Sequence, residues 1–121
     1  MISIIDDDRM VRESTADLIS SLGHEALIFG SGEQFLASGC VKDTACIITD
    51  VHMPGLNGLD LLSRLLAEGY RTPVIFITAY PRDSARSRAL NAGAVAFLSK
   101  PFEESALISS LETALKRREK S

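Results

Sequence analysis

The feature that most constrains the fold is an alternation of short apolar runs with longer segments of helical periodicity. Five such runs occur in the 121 residues, and a helical segment follows each of them. The runs lie at Ile2–Ile5, 25–29, 45–49, Val74–Thr78 and 94–99. Strands separated by helices pair in parallel through right-handed crossovers, with helices on both faces of the sheet. The sequence therefore predicts an α/β fold, a doubly wound five-stranded parallel sheet of flavodoxin-like (βα)5 type with strand order 2-1-3-4-5.

The segments between the runs carry the signals of helix starts, apolar faces and helix ends. We predict helices at 9–22, from a capping box of Ser31 and Gln34 to near Gly39, at 58–68, from the cap Asp83 to Gly93, and from Pro101 through Leu115. The apolar-face positions are Met10, Val11, Ser14, Leu18 and Leu22 in the first helix, Leu59, Leu62, Leu65 and Leu66 in the third, and Leu107, Ile108, Leu111 and Leu115 in the last. Each of these helices can therefore cover one face of the sheet.

Composition and charge narrow the possible classes of protein. A chain of this length forms one domain, and we assign residues 1–121 to it. The net charge of −3, with both signs mixed, gives no general attraction to nucleic acid or to an anionic membrane.

Cys40 and Cys46 lack metal or redox spacing and are expected to be free thiols, with Cys46 packed in a strand. The apolar start is too short for a signal peptide or membrane span, so we expect a cytoplasmic protein without membrane contact.

Several carboxylates follow the first and third strands of the predicted sheet. Asp50 ends an apolar run, and Asp6, Asp7 and Asp8 follow the first strand. In the predicted order these strands are neighbours at the switch point, where ligands bind. Two like charges about 4 Å apart cost roughly 4 kcal/mol at an effective dielectric of 20, so a cation should compensate them. Oxygen ligands open to water favour Mg2+. Asp8 is expected to cap the first helix, and capping alone is the alternative for Asp6 and Asp7.

The fourth and fifth strands end at residues that can receive an anion. Thr78 offers a hydroxyl and Lys100 offers an ammonium group. Phosphoryl transfer to Asp50 needs a carboxylate nucleophile, a divalent metal, a hydrogen-bond donor and a lysine, because catalysis there rests on positioning and charge neutralisation. Taken singly, Thr78 is more often a plain strand-end residue and Lys100 a solvated surface charge. Their joint placement at consecutive strand ends favours the functional interpretation.

Two other classes of protein share parts of this pattern. A phosphatase of the haloacid dehalogenase type also uses a strand-end aspartate with threonine, lysine and Mg2+, but it needs a second aspartate at the position of His52. A flavodoxin-like flavin-binding module needs hydroxyls and glycines after its first strand, where Asp6, Asp7 and Asp8 would repel the phosphate. Both alternatives therefore fit the sequence less well than phosphoryl transfer to an aspartate.

The combined pattern resembles the receiver domain of two-component response regulators over essentially the whole chain. The likeness is carried by Asp6-Asp7, the segment 50–58, Thr78-Ala79 and Lys100-Pro101. The resemblance implies a domain that accepts a phosphoryl group from a sensor histidine kinase. Such a domain assists its own phosphorylation and dephosphorylation and is not a conventional enzyme. A degenerate receiver that acts only as a protein-binding module is disfavoured, because every active-site position is filled.

The resemblance also assigns roles to individual residues. It implies that Asp50 is the phosphoacceptor and that Thr78 and Lys100 bind the phosphoryl oxygens. Mg2+ would be bound by Asp50, by Asp7 and by the backbone carbonyl of His52. Asp6 would hold a metal-bound water, so that the metal set contains four residues.

A conformational switch is the further implication of the resemblance. The hydroxyl of Thr78 would move towards the phosphate, and Phe97, the aromatic residue of strand five, would turn inward. A permanently buried core ring is the alternative for Phe97. The Lys100–Pro101 peptide is usually cis in this family.

Three residues beside the site distinguish this chain within the resemblance. His52 and Tyr80 each lie two positions after an active residue, where such side chains tune how fast phosphate is gained and lost. A solvated loop residue is an equally good interpretation of His52. Pro81 fixes its own φ angle and biases Tyr80 away from helical geometry, so it should affect the movement of this loop.

The segment 92–103 resembles most closely the subgroup of the nitrogen-fixation regulator FixJ, in which receivers precede a helix-turn-helix output domain. We expect a homodimer on phosphorylation, through the face of helix four, strand five and helix five. DNA would be bound only through an output domain, which we expect to be absent from this chain. The basic run 116–121 is either a helix end that complements the helix dipole or the start of a linker.

Overall fold

Five parallel strands form one sheet in the order β2-β1-β3-β4-β5. The computed structural model describes the backbone of residues 1–120 and the side chains of residues 1–117, so most side chains of the basic run 116–121 lie outside the described part. The elements in chain order are β1 (Ile2–Ile5), α1 (Arg9–Ser21), β2 (Ala26–Phe29), α2 (Gly32–Ala37), β3 (Cys46–Asp50), α3 (Gly58–Ala67), β4 (Val74–Thr78), α4 (Asp83–Asn91), β5 (Ala96–Ser99) and α5 (Glu104–Lys120). The predicted fold class and strand order are confirmed.

The register of the sheet brings the carboxyl ends of the strands to one edge. Ile5 of β1 pairs with Thr49 of β3, and Thr78 of β4 pairs with Ser99 of β5. Asp50 pairs with Ile77, one residue before β4 ends. Polar residues that terminate different strands are therefore held beside one another by backbone hydrogen bonds.

Alternate residues of the strands pack into two cores, one on each face of the sheet. The first core joins strand residues to α2, α3 and α4, and it includes Ile5, Ile47, Phe76, Phe35, Leu59, Leu62 and Ala89. The second core joins the opposite strand faces to α1 and α5, and it includes Ile4, Ile48, Ile75, Ile19, Leu107 and Leu111.

Cys46 lies in the second core, and burial raises the pKa of its thiol to about 12. Both cysteines are free thiols, as predicted.

Two predicted helix faces are partly wrong. In α1 the buried residues are Thr15 and Ile19, whereas Met10 is 81% exposed. Met10 lies in the first turn and Leu22 is the C-cap, so both stand at helix ends, outside the buried stretch. In α3 the inward face includes Leu61, and Leu66 is exposed.

The helix caps follow the predictions in α1, only in part in α2, and not in α4. Asp8 caps α1 through hydrogen bonds from the amides of Met10 and Val11. Ser31 accepts a hydrogen bond from the amide of Gln34, but the Gln34 side chain accepts from Gly30 instead of closing a capping box on Ser31. Asp83 is the first residue of α4 and not its cap; the cap position is Arg82, whose side chain makes no capping hydrogen bond.

Three predicted element boundaries also shift. β2 begins at Ala26 and α5 begins at Glu104, each later than the apolar pattern suggested. β5 begins at Ala96, because the amide of Ala94 still donates to the carbonyl of Ala89 at the end of α4. Residue 94 therefore completes a helix before the strand starts.

Gly58 is the residue at which the fold leaves least room. A Cβ atom at Gly58 would overlap the backbone oxygen of Asp50 and lie 3.1 Å from the Phe76 ring. The first residue of α2, Gly32, offers a matched comparison, because the tightest contact of its Cβ would be a side-chain methyl of Leu56 at 3.2 Å, with the Leu56 backbone oxygen at an ordinary 3.6 Å. A methyl group at the end of a side chain can shift, whereas the backbone of a buried strand resists displacement.

We expect Gly58→Ala to lower the free energy of unfolding by about 2 kcal/mol, within the usual cost of overpacking. Gly32→Ala should change it by less than about 1 kcal/mol. Urea denaturation of the two variants and the parent protein measures both values. Equal stability of the two variants would show that the strand end is not rigidly packed against α3.

Candidate functional site

The sequence-predicted site residues meet at the carboxyl edge of the sheet. Asp6 follows β1, Asp50 ends β3, Thr78 ends β4 and Lys100 follows β5. Asp6 and Thr78 are fully buried, and Asp50 is 6% exposed. Parallel strands in this order place these four positions side by side, which is the arrangement expected for a ligand site in a doubly wound sheet.

Lys100 connects the two buried carboxylates directly. Its Nζ atom donates to Asp6 Oδ2 at 2.8 Å and to Asp50 Oδ2 at 2.9 Å. The backbone amide of Lys100 donates to the carbonyl of Thr78 at 2.7 Å, which fixes the segment after β5 against β4. The Lys100–Pro101 peptide is cis. The lysine is therefore an internal residue of the site and not a solvated surface charge.

Burial and charge act in opposite directions on these groups. Burial raises the pKa of Asp6, and its hydrogen bonds with Lys100 and the amide of Asp8 offset only part of that effect. Burial acts to lower the pKa of Lys100, but its hydrogen bonds to Asp6 and Asp50 outweigh burial and leave that pKa raised. The ammonium form of Lys100 is therefore stabilised, while the ionised form of Asp6 is disfavoured by the fold.

The site has the donors that a divalent cation requires. Carboxylate oxygens of Asp6, Asp7 and Asp50 lie within 4.8 Å of one another. Asp7 is exposed, in contrast to Asp6 and Asp50, so the cluster opens to water on one side. Hard oxygen ligands with access to water fit Mg2+, which keeps part of its hydration shell in protein sites. The donor set therefore fits the predicted metal.

The backbone around Asp50 holds its side chain in place. Asp50 Oδ1 accepts from the amide of His52 at 3.1 Å, and the carbonyl of Asp50 accepts from the hydroxyl of Thr49 at 3.1 Å. The amide of Gly58 donates to the carbonyl of Val51, which closes the loop between β3 and α3. The loop therefore orients one oxygen of Asp50 while Lys100 holds the other.

Two aromatic residues connect the loop after Thr78 to the loop after Asp50. Thr78 Oγ1 accepts from the amide of Tyr80 at 3.1 Å. Tyr80 is 71% exposed, and its ring meets that of His52 edge to face at a centroid distance of 6.1 Å. The loops after β3 and β4 therefore touch each other through these two side chains.

Phe97 lies inside the first core. It is 6% exposed, and its ring centroid lies 6.4 Å from that of Phe76. A switch residue and a permanent core ring can both occupy this inward position, so both interpretations of Phe97 stay open.

Sequence reasoning missed Arg12. Its guanidinium donates from Nη1 to the backbone carbonyl of Asp6 at 2.8 Å. A signal was present, because a cation near the N-terminus of a helix opposes the helix dipole and so needs another partner. The partner is a backbone atom, which a sequence pattern does not display.

The fold and the site together define a class of protein, a doubly wound α/β domain with a carboxylate cluster and a lysine at its switch point. The chain belongs to the response regulator receiver domain family, which matches residues 2–112. Phosphorylation and control of an output domain are typical of this family. The match leaves the phosphatase and flavin-binding alternatives without support.

Individual relatives place the chain near FixJ. It is 40% identical over 116 residues to the transcriptional regulatory protein FixJ of Azorhizobium caulinodans, covering 96% of this chain and 55% of the relative. It is 37% identical to nodulation protein W of Bradyrhizobium diazoefficiens, covering 97% of this chain and 52% of that protein. The chain thus spans about half the length of these relatives.

Solved structures agree with this placement. The structure of FixJ-N is 33% identical, with a TM-score of 0.85, and the match covers 95% of this chain and 92% of that one. The response regulator StyR is 36% identical, with a TM-score of 0.91 and coverage of 98% and 60%. Among the described residues, no helix is both long and apolar enough to cross a membrane.

We expect Asp6→Asn to stabilise the metal-free protein at neutral pH. The pKa of Asp6 is higher in the folded protein than in the unfolded chain, so folding favours the protonated side chain. The stability that Asp6 contributes is therefore complete below the unfolded-state pKa and is lost as pH rises through the folded-state pKa. At neutral pH the ionised side chain therefore costs stability, and its removal should raise the melting temperature by about 4 °C, equivalent to about 1 kcal/mol.

The matched control is Asp7→Asn, at an exposed position in the same turn. Thermal melts without divalent ions, between pH 4 and 8, measure the effect. The gain from Asp6→Asn should grow with rising pH and should exceed that from Asp7→Asn. A gain that is equal at all pH values would contradict the assignment of the effect to Asp6 ionisation.

Proposed function

We propose that this domain accepts a phosphoryl group on Asp50 from a phosphohistidine of a sensor histidine kinase. The observation that carries the proposal is the position of Asp50, at a buried strand end with one oxygen 2.9 Å from Lys100 and beside two further carboxylates. A carboxylate oxygen of Asp50 would attack phosphorus as the bond from phosphorus to the imidazole nitrogen breaks. The imidazole keeps that electron pair, and a phosphoaspartate results.

The proposed metal ligands are Asp7, Asp50 and the backbone carbonyl of His52, with Asp6 acting through a water. Their support is the clustering of the three carboxylates, which leaves too much negative charge for one lysine to balance. When bound, Mg2+ would neutralise charge on the transferring phosphoryl group. Asp6 and Asp7 would hold it beside the acceptor.

Lys100 and Thr78 are the proposed ligands of the phosphoryl oxygens. Lys100 already contacts the acceptor carboxylate, so its ammonium group stands where negative charge will increase. The Thr78 hydroxyl accepts from the amide of Tyr80, and rotation of its O–H would let it donate to a phosphoryl oxygen. The two residues thus supply a charge and a donor from neighbouring strands.

The proposed switch couples Thr78 and Phe97 to the surface of α4, β5 and α5. A phosphate can shift a two-state equilibrium only through contacts that differ between the states. The support is the weak attachment of α4, which lacks a side-chain cap and, within the described part of the chain, buries Ala89 alone. We propose that movement of this surface controls homodimerisation and an output domain.

The proposed output is transcriptional. FixJ of Azorhizobium caulinodans is named a transcriptional regulatory protein, and this chain spans 55% of it. We infer that residues 1–121 form a receiver domain which, in the whole protein, regulates a separate output domain. DNA would be bound by that domain and not by the receiver, and the site of action would be the cytoplasm.

Incubation with Mg2+ and acetyl phosphate, followed by intact-mass measurement, tests the acceptor. We expect the parent to gain one phosphoryl group on Asp50, which keeps some access to solvent, whereas Asp6, the other carboxylate that contacts Lys100, is fully buried. Asp50→Asn should gain none. The control Asp60→Asn, on the exposed face of α3, should behave as the parent does. Continuous phosphate release without a stable adduct would instead support hydrolysis, and modification of Asp50→Asn would place the acceptor elsewhere.

Tyr80 and His52 are proposed to set the lifetime of the phosphoaspartate. Their rings meet edge to face, and the backbone amide of His52 donates to Asp50 Oδ1. We propose that this ring pair restricts the approach of water to a phosphoaspartate. We expect Tyr80→Ala to accelerate dephosphorylation about threefold, equivalent to about 0.7 kcal/mol of barrier. Tyr80→Phe keeps the ring and should retain the parent rate. Decay of radiolabelled phosphoprotein measures this, and a slower decay of Tyr80→Ala would refute shielding by the ring.

A further inference from the structure

Arg12 makes an interaction that its position in α1 does not require. Its guanidinium lies half-buried behind the acidic turn and donates to the backbone carbonyl of Asp6 at 2.8 Å. Within the described side chains, no carboxylate lies within ion-pairing distance of Arg12. A cation close to an acidic cluster thus binds the backbone of the cluster instead of its side chains.

The interaction bears on Asp7, the exposed member of the cluster. In the described part of the chain, no hydrogen bond holds the Asp7 carboxylate, so its position depends on the backbone of the turn, which sets the direction of its Cα–Cβ bond. Arg12 contacts both neighbours of Asp7: its side chain binds the carbonyl of Asp6, and its amide donates to the carbonyl of Asp8 at 3.0 Å. The hydrogen bond from the backbone amide of Arg12 is part of the helix, whereas the hydrogen bond from its side chain is an additional constraint on the turn.

The turn after β2 supports the guanidinium from the other side. The amide of Asp6 donates to the carbonyl of Phe29 at 3.1 Å, and the next residue is Gly30. A Cβ at Gly30 would lie 3.5 Å from Nη1 of Arg12 and 3.4 Å from Oε1 of Gln34. The guanidinium therefore lies close to the turns that follow both β1 and β2.

We infer that Arg12 is a positioning residue, which holds the turn of residues 6–8 so that Asp7 and Asp6 present their oxygens to a divalent cation. The inference rests on the proposed function of this site. Arg12 touches neither the cation nor the phosphoryl group. Its charge and its hydrogen bond have opposite effects, because a nearby positive charge repels a divalent ion whereas an ordered turn increases affinity. Whether Mg2+ affinity falls or rises when Arg12 is removed therefore identifies its role.

Mg2+ titrations of the parent, Arg12→Ala and Arg12→Lys, followed by amide chemical shifts, test the inference. We expect Arg12→Ala to weaken Mg2+ binding about tenfold, the lower range for residues that orient metal ligands. Arg12→Lys keeps the charge and should be intermediate. The control is Arg9→Ala, which removes the same charge from the exposed first turn of the same helix. It should leave binding unchanged or slightly tighter.

Hydrogen exchange of the Asp8 amide in metal-free protein supplies a second readout. This amide donates to Asp6 Oδ1 at 2.9 Å, so its protection reports the order of the turn. Exchange should be faster in Arg12→Ala and unchanged in Arg9→Ala. If Arg12→Ala does not fold, the same two measurements on Arg12→Lys decide the question.

The outcomes separate the inference from the proposed function. Weaker Mg2+ binding together with faster Asp8 exchange in Arg12→Ala supports positioning. A lower melting temperature with unchanged affinity would show a merely structural role, and tighter binding would show that charge alone matters; either result overturns the inference. Failure of the parent itself to bind Mg2+ would refute the proposed metal site. If the parent binds Mg2+ but the Asp8 amide exchanges equally fast in Arg12→Ala and in the parent, positioning alone is refuted.

Discussion

The site depends on one constraint, the presence of two buried carboxylates at neighbouring strand ends with a single lysine between them. Lys100 donates to both Asp6 and Asp50, and removal of either acid would leave its ammonium group with one partner. Three carboxylates and one ammonium leave a formal charge of −2 in the cluster. The pKa of Asp6 is raised by burial, which shows that the lysine does not cancel the cost of its ionisation. The cluster therefore keeps a negative charge that a divalent cation would balance.

The rest of the fold serves to hold that unfavourable arrangement together. Backbone hydrogen bonds of five parallel strands fix the positions from which the charged side chains extend. Two apolar cores, one on each face, stabilise the sheet far more than the charged edge destabilises it. At Gly58, α3 begins so close to the backbone of Asp50 that no side chain fits between them. The carboxylate of Asp50, the proposed acceptor, is consequently held by a closely packed part of the molecule, which would suit a reaction that requires fixed geometry.

The sequence predicted the sheet and the main site residues because both follow from position along the chain. Apolar runs interrupted by helices indicate a parallel sheet, and Asp6, Asp50, Thr78 and Lys100 lie at or just after four strand ends. The resemblance to receivers then supplied roles that spacing alone does not give. Features that depend on three-dimensional packing were not predictable. Met10 and Leu66 fit a helical stripe in sequence, but burial depends on where the sheet ends beneath each helix.

The sequence also gave no indication of which polar groups would pair. A lysine after β5 could bind one carboxylate, two or none, and the contact with both follows from the distance between strand ends. Arg12 was missed because its partner is the carbonyl of Asp6, and every residue has a carbonyl. Hydrogen bonds to the backbone carry no signature in residue type. Such contacts are found only when the register of the turns is known.

The same network explains how a local reaction could alter a distant surface. In the proposed mechanism, a phosphoryl group on Asp50 adds negative charge beside Lys100 and draws the hydroxyl of Thr78 away from the amide of Tyr80. That amide lies in the loop that leads directly into α4, a helix without a side-chain cap. A helix held by few buried contacts costs little to displace, so a modest gain at the phosphoryl group is enough to change its preferred position. In this mechanism the strong constraints at β3 and the weak ones at α4 would be complementary: the first would fix the reaction, and the second would let it be transmitted.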